Sequence, residues 1–347
     1  MRYLLIPLLL LLTSCFKEPL YHSQSYVFGT LVDISIYGES DELARQHADH
    51  ILQDFQSLHN RFHAWKPISA TQLSELGELN AAFQAGKQVP ISPDLASILA
   101  DATTLSVKSN GLFNPAIGQL IGTWGFQHDE FSPIDIDDAK IQALVKAKPA
   151  MTDIVIKGKI AYSTNPAVKL DLGGYAKGYA LDIAAAYLRQ QHVKDALINI
   201  GGNIIALGQH GDKPWRVGIQ HPRSPTAIAT LDLADGWAIG TSGDYQRYFM
   251  LNGKRYCHII DPRTGYPTQH TQAVTVLVPP SKNSGVLSDV TSKPIFIESP
   301  ENRLKTAQAF GIENFMVIDA QSNIFVSKQM AQKLHWVTTG VKFTTLP

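Results

Sequence analysis

The sequence has no charge of either sign to spare. Its 30 Lys and Arg residues balance 30 Asp and Glu over 347 residues. A neutral chain exerts no global pull on a polyanion, so nucleic acid is set aside as a partner, and any anion must be gripped locally. Long hydrophobic runs are missing too. The one candidate, Leu4 to Leu12 with Pro7 inside it, falls short of the ~20 apolar residues that cross a bilayer. Cysteine is scarce, with only Cys15 and Cys257. There is no internal repeat and no low-complexity linker. What is present is ordinary globular composition, 44% hydrophobic and 17% charged. That is ample for a sizeable core, in one large domain or two intimate ones.

The amino terminus has its own logic. Arg2 is a minimal positive region, and the short apolar run after it fits a secretory signal. Leu12-Thr13-Ser14-Cys15 then looks like a bacterial lipobox. Either Cys15 becomes the lipidated first residue of a mature lipoprotein, or this is a plain signal peptide with an incidental cysteine. We expect the lipoprotein, because the cysteine sits where cleavage should fall. The expected organisation is signal peptide over 1–15, tether over 16–25 and one domain over 26–340. With Cys15 lipidated, Cys257 has no partner and no disulfide framework is expected, even in an oxidising compartment.

Periodicity then gives a coarse list of elements. Tyr26 to Tyr37 alternates around Val27, Leu31, Ile34 and Ile36, which predicts a strand. Asp41 to about Phe62 carries Leu43, His47, Ile51, Phe55, Leu58 and Phe62 on one helical stripe. Ser92-Pro93 starts a helix as cap and first residue, and Asn110-Gly111 stops it. A hairpin is expected around Lys157-Gly158-Lys159, a strand over Val168 to Leu172, and a helix over Ala176 to Gln191. Leu197 to Ile200, Trp215 to Ile219, Ile228 to Leu233 and Gln272 to Val278 complete the strand candidates, with a last hairpin over Phe315 to Val326. Helix is expected over Ser284 to Ser299, ended or kinked by Pro294, and over Glu301 to Phe310. Strands interleaved with helices at no regular βαβ period point to α+β.

Polar chemistry concentrates in four places. Gly111 to Gly118 follows a helix end, and is either a simple turn or a ligand loop. In Asp171-Leu-Gly-Gly-Tyr-Ala-Lys177-Gly-Tyr-Ala-Leu-Asp182 the expected strand runs into two glycines and then a helix. The helix N-terminus offers unpaired N–H groups to an anion, and Lys177 in the first turn adds charge. It matches neither a Walker loop nor GxGxxG, so it supports anion binding only, against a tight turn with a solvated lysine. Gly240-Thr-Ser-Gly-Asp-Tyr245 precedes His258-Ile-Ile-Asp261-Pro-Arg263-Thr-Gly265. There His258 is either a structural residue or a proton acceptor near neutral pH, and Arg263 suits a carboxylate or a phosphate. Finally, Asp289 and Ser292 share a helical face. Oxygens of that kind suit Mg²⁺, and equally an ordinary helix cap.

Taken in order, these segments resemble the FAD:protein FMN transferase family, known as ApbE, from Phe28-Gly29-Thr30 to about Phe296. Asp171 to Asp182 resembles its DLGGxAKGYAxD signature, Thr241 to Tyr245 its TSGxY, His258 to Gly265 its HxxDPxTG, and Asn199-Ile-Gly-Gly202 another of its glycine pairs. The resemblance implies a T-fold-like architecture of mixed, largely antiparallel sheets with flanking helices. It implies FAD contacts from Phe28, Trp65, Leu112, Phe113, Asn114, Asp171, Lys177 and His258, and Mg²⁺ held by the Gly174 carbonyl, Asp289 and Ser292. Two departures stand out: Phe28 replaces a usual methionine, and Lys293 replaces a threonine. A threonine hydroxyl can ligate Mg²⁺, whereas a protonated lysine cannot.

The activity so implied is Mg²⁺-dependent transfer of the FMN half of FAD to a threonine hydroxyl, releasing AMP. His258 is expected to help move the proton, with Asp261 orienting it or sharing the task. The alternatives are a flavin-holding or trafficking lipoprotein and an FAD pyrophosphatase. Acceptors would be membrane redox subunits, such as those of sodium-pumping quinone reductase or Rnf complexes, met by an enzyme anchored through Cys15 on the periplasmic face of the cell membrane.

Overall fold

Apolar residues at alternate positions, Val32, Ile34 and Ile36, and a two-residue turn build the first element. In the computed structural model, which describes residues 19–69, 71–128 and 130–347, β1 (Leu20–Val27) and β2 (Thr30–Tyr37) form an antiparallel hairpin. The turn residues Phe28 and Gly29 both have positive φ, 57° and 71°. That is the twist-matched geometry favoured between paired strands, and it is unusual for a phenylalanine. The expected single strand is therefore two, and β1 begins inside the stretch expected to be a tether. The signal-like run and Cys15 lie outside the described residues.

After α1 (Asp41–Phe62) come α2 (Glu75–Gln84), β3 (Val89–Pro90), α3 (Pro93–Lys108), α4 (Gly118–Thr123) and α5 (Asp138–Ala147). The hairpin β4 (Ile154–Lys157) and β5 (Ile160–Ser163) precedes α6 (Ala176–Gln190). Then follow β6 (Asp195–Ile200), β7 (Asn203–Leu207), β8 (Trp215–Gln220), β9 (Ala227–Leu233), β10 (Ala238–Gly243), β11 (Tyr248–Leu251), β12 (Lys254–Cys257) and β13 (Thr271–Val278). The chain closes with α7 (Ser284–Ile297), α8 (Arg303–Ala309), β14 (Asn314–Asp319), β15 (Ile324–Ser327), α9 (Lys328–Ala331), β16 (His335–Trp336) and β17 (Thr344–Leu346).

The fold is α+β, as expected. A nine-stranded sheet runs β1-β2-β6-β7-β10-β13-β14-β15-β17, antiparallel throughout except for the β15–β17 pair. Side chains alternate between two cores, as pleated strands require. Ile205, Val274, Val276, Phe315 and Val317 face the helical side, whereas Ile204, Ala206, Leu277, Met316 and Ile318 face a small sheet of β16, β9 and β8. Every residue of β13 is buried because both faces are covered.

Val168 to Leu172, expected as a strand, is extended but is not one; among the described residues only Lys169 bridges, to Ile117. Pro294 does not end α7, which runs on to Ile297. Among the described residues no helix is long and apolar enough to cross a membrane.

Candidate functional site

Helices α6 and α7 meet where glycine removes the side chains between them. A side chain at Gly178 would lie 2.4 Å from the Gly285 carbonyl oxygen. At this contact the two helices cap each other. The Asp182 carboxylate of α6 accepts from the Gly285 and Val286 N–H groups at the start of α7, at 2.7 and 2.8 Å. The Asp289 carboxylate of α7 accepts from Gly178 N–H, in the first turn of α6, at 3.0 Å. Tyr175, at the N-cap of α6, supplies no side-chain cap of its own. The cap from α7 answers part of the helix's need for acceptors.

Beside this junction lies a cavity of about 550 Å³, within the range typical of ligand sites. Its rim includes the β1–β2 turn at Phe28, the Leu112–Asn114 loop and β10 at Thr241 to Gly243. Asp171, Gly174, Lys177, His258, Asp289 and Lys293 also line it. Four distant motifs of the sequence are thus brought together. Apolar surface comes from Phe28, Leu112, Phe113, Phe126 and Phe131, which suits a planar ring system.

Positive charge gathers on one side. Lys293 Nζ donates to both the backbone oxygen and Oδ1 of Asp289, each at 2.6 Å. Lys177 Nζ donates to Gly173 O at 3.1 Å and lies 3.8 Å from Asp289 Oδ1. Burial opposes ionisation of Asp289, but the two lysines and the Gly178 N–H hold its pKa below the usual carboxylate value. Arg247 also lines the cavity, with one guanidinium nitrogen on Phe126 O at 2.8 Å and its buried Nε without a partner among the described residues.

His258 Nδ1 faces the Arg247 carbonyl at 3.3 Å. A carbonyl can only accept, so Nδ1 carries the proton and Nε2 is left with a lone pair. Burial, then the charges of Arg247, Lys177 and Lys293, bring its pKa down to about 3. The ring is therefore neutral at physiological pH.

Other expected residues are placed differently. Asp261 does not touch His258. Its carboxylate caps the turn at Arg263 N–H and pairs with the Arg263 guanidinium, which also holds Glu298. The orienting partner of His258 is instead a backbone carbonyl, and the arginine of the cavity is Arg247, which no motif singled out. Trp65 stands behind the main cavity and reaches it through Asp171, whose Oδ2 accepts from the indole at 2.7 Å. Asn114 lines the cavity, but its side chain is spent on Pro149 O and Ala116 N–H. Ser292 is buried, its hydroxyl held by Ser242 Oγ at 2.8 Å and Asp289 O at 3.0 Å.

These residues do not fit a resident divalent ion. Asp289 is the one carboxylate among the three expected ligands, and an ammonium already sits on it. The lysine stem also fills the space at Gly174, where a side chain would meet Lys293 Cε at 2.9 Å. Oxygens already paired with an ammonium are poor material for Mg²⁺.

The model of the ApbE family matches residues 28–316. A FAD:protein FMN transferase of Rhodobacter capsulatus is 38% identical over 315 residues, 91% of this chain and 58% of that protein, so the chain spans little more than half of it. One from Haemophilus influenzae is 32% identical over 74% of each chain. Among solved structures, the ApbE protein of Thermotoga maritima superposes with a TM-score of 0.79 at 26% identity, covering 91% of this chain and 99% of its own. The flavinyl transferase ApbE of Pseudomonas stutzeri, in its apo form, gives 0.73 at 25%, covering 88% and 92%.

Proposed function

The chain belongs to the ApbE family, and from that premise we propose that it moves the FMN half of FAD onto a threonine hydroxyl of an acceptor protein and releases AMP. The observation that carries this reading is the meeting of three features in one cavity: an aromatic wall, a cationic corner at the α6 N-terminus, and a neutral histidine with a free lone pair. The wall takes the flavin ring. Lys177 and Lys293 take the pyrophosphate, since the Ala176 and Gly178 N–H groups at the start of α6 are already given to Leu172 O and Asp289.

The chemistry then balances simply. The threonine oxygen bonds to the FMN phosphorus as the bond from that phosphorus to the bridging oxygen breaks. AMP leaves with the electron pair. The hydroxyl proton passes to His258 Nε2 and from there to the leaving phosphate or solvent. Asp261 is assigned no role in this reading, since its carboxylate is engaged by Arg263. Mg²⁺, expected from the resemblance, does not fit the residues as they stand, and no step is routed through it.

The same reading makes the chain a lipoprotein anchored by Cys15 on the periplasmic face, near membrane redox acceptors of the quinone reductase or Rnf type. The signal-like N-terminus supports this. Loss of radiolabelled palmitate in Cys15→Ala is the expected result; retained label would remove the anchor.

The deciding experiment incubates the protein with FAD and an acceptor domain bearing the target threonine, followed by mass spectrometry. An FMN adduct on threonine is expected. Free FMN without an adduct would reassign the site to FAD hydrolysis, and bound FAD without either product would reassign it to flavin holding.

A further inference from the structure

We propose that the Lys293 ammonium is the resident cation of this site, standing where the family resemblance puts a divalent metal, so that FAD is bound and cleaved without one. The inference rests on the FAD reading above and concerns how this particular chain carries it out.

The geometry is specific. Asp289 and Lys293 are one turn apart on α7, and the lysine folds back so that its ammonium meets both Asp289 O and Oδ1 at 2.6 Å. Its stem is pinned against Gly174, the residue whose carbonyl was expected to face the metal. Lysine has three N–H donors, Asp289 takes two, and one remains for a ligand oxygen. Lys177 and Lys293 together outnumber the single carboxylate between them, so the corner keeps a surplus positive charge facing the cavity. That surplus serves the two tasks a metal would serve toward a pyrophosphate: neutralising its charge against an incoming hydroxyl, and stabilising the leaving phosphate. A divalent ion seeking the same Asp289 oxygen would have to displace an ammonium already in hydrogen-bond contact with it.

A threonine at this position would change the balance. Its hydroxyl would leave Asp289 with Lys177 as its cation beside the Gly178 N–H, and would open an oxygen-lined space suited to Mg²⁺.

The test measures FAD binding by quenching of flavin fluorescence, on the full chain in detergent, with EDTA or with millimolar Mg²⁺. FMN transfer is followed in parallel. For the wild type, equal FAD affinity and equal transfer in the two conditions are expected. For Lys293→Thr, affinity in EDTA falls by about tenfold or more and Mg²⁺ restores it. Lys293→Arg, which keeps the charge, retains metal-independent binding. It is the safeguard should the threonine variant fold poorly. Wild-type binding lost in EDTA and regained with Mg²⁺ would overturn the proposal while leaving the FAD reading intact. Absence of FAD binding in both conditions would instead remove the FAD reading and the proposal with it.

Discussion

The lone pair of His258 is set by a single contact. Its Nδ1 proton is claimed by the Arg247 carbonyl, and its pKa of about 3 keeps the ring neutral. Replacing His258 by alanine is expected to lower kcat by about 10²-fold, the low end of a positioned proton acceptor's worth because so weak a base takes up little of the proton, with FAD affinity changed far less. The same pKa makes a second claim. For the free enzyme, kcat/KM should show no limb centred near the ordinary histidine value of 6.5, because this ring protonates only in strong acid. A pH profile with a histidine limb near neutrality would mean that another group controls the reaction. At this scale the sequence showed which stretches matter better than which atoms touch. Asp261 lies three residues from His258, but a turn directs it to Arg263. Arg247 lies between two motifs and carried no signal, since only the fold brings it to the cavity. The replacement of threonine by Lys293 was legible; the position of its ammonium on Asp289 was not, because a lysine has several rotamers to choose from.

Helices with strong local signals could be read directly. Ser92 does cap α3, accepting from Leu95 N–H, and α1 buries Ile51, Phe55, Leu58 and Phe62 of its expected stripe, while Leu43 stays exposed and Ala44 and Ala48 face the core in the first turns. The exchange of caps between α6 and α7 has no local signal, because each cap comes from more than 100 residues away. Asp182 carries a testable consequence. Burial, against two backbone N–H donors that favour the charged form, raises its pKa to about 7 from an ordinary 3.8. The folded chain therefore holds this proton more tightly than the unfolded chain. The stabilising contribution is full below about pH 4 and is lost as pH rises through about 7. Melting temperatures measured from about pH 5 to about pH 8 should show the wild type losing stability relative to Asp182→Asn as pH rises. Parallel curves for the two proteins would show that Asp182 does not titrate in that range. The strand expected over Val168 to Leu172 failed for a related reason. Its apolar residues pack into the core without a partner strand beyond one bridge, and periodicity alone does not distinguish the two cases.

For the molecule as a whole, the α+β class followed from strands and helices alternating without a βαβ period, and the sheet is antiparallel in all but one pair. What local pattern could not supply is how the helical layer seats on the sheet. Helix α7, which bears Asp289 and Lys293, lies so close to β10 that a side chain at Gly240 would come within 2.2 Å of Ser288 O and 2.8 Å of Asn203 Oδ1. Both are fixed groups, one a backbone atom inside a helix and the other a buried amide. The expected effect of Gly240→Ala is thus overpacking, at about 1–3 kcal/mol of stability. Because relief comes by moving α7 outward, the Asp289–Lys293 corner should shift away from Gly174, and FAD affinity should fall with stability. Gly218 on β8 is the control: a side chain there meets only Ala227 Cβ at 3.5 Å, an ordinary contact, so Gly218→Ala should leave both properties nearly unchanged. Thermal unfolding and FAD titration of the two variants separate the cases. A Gly240→Ala protein with wild-type stability and affinity would mean that α7 is not positioned by this backbone contact, and that the cationic corner is held by its own hydrogen bonds alone.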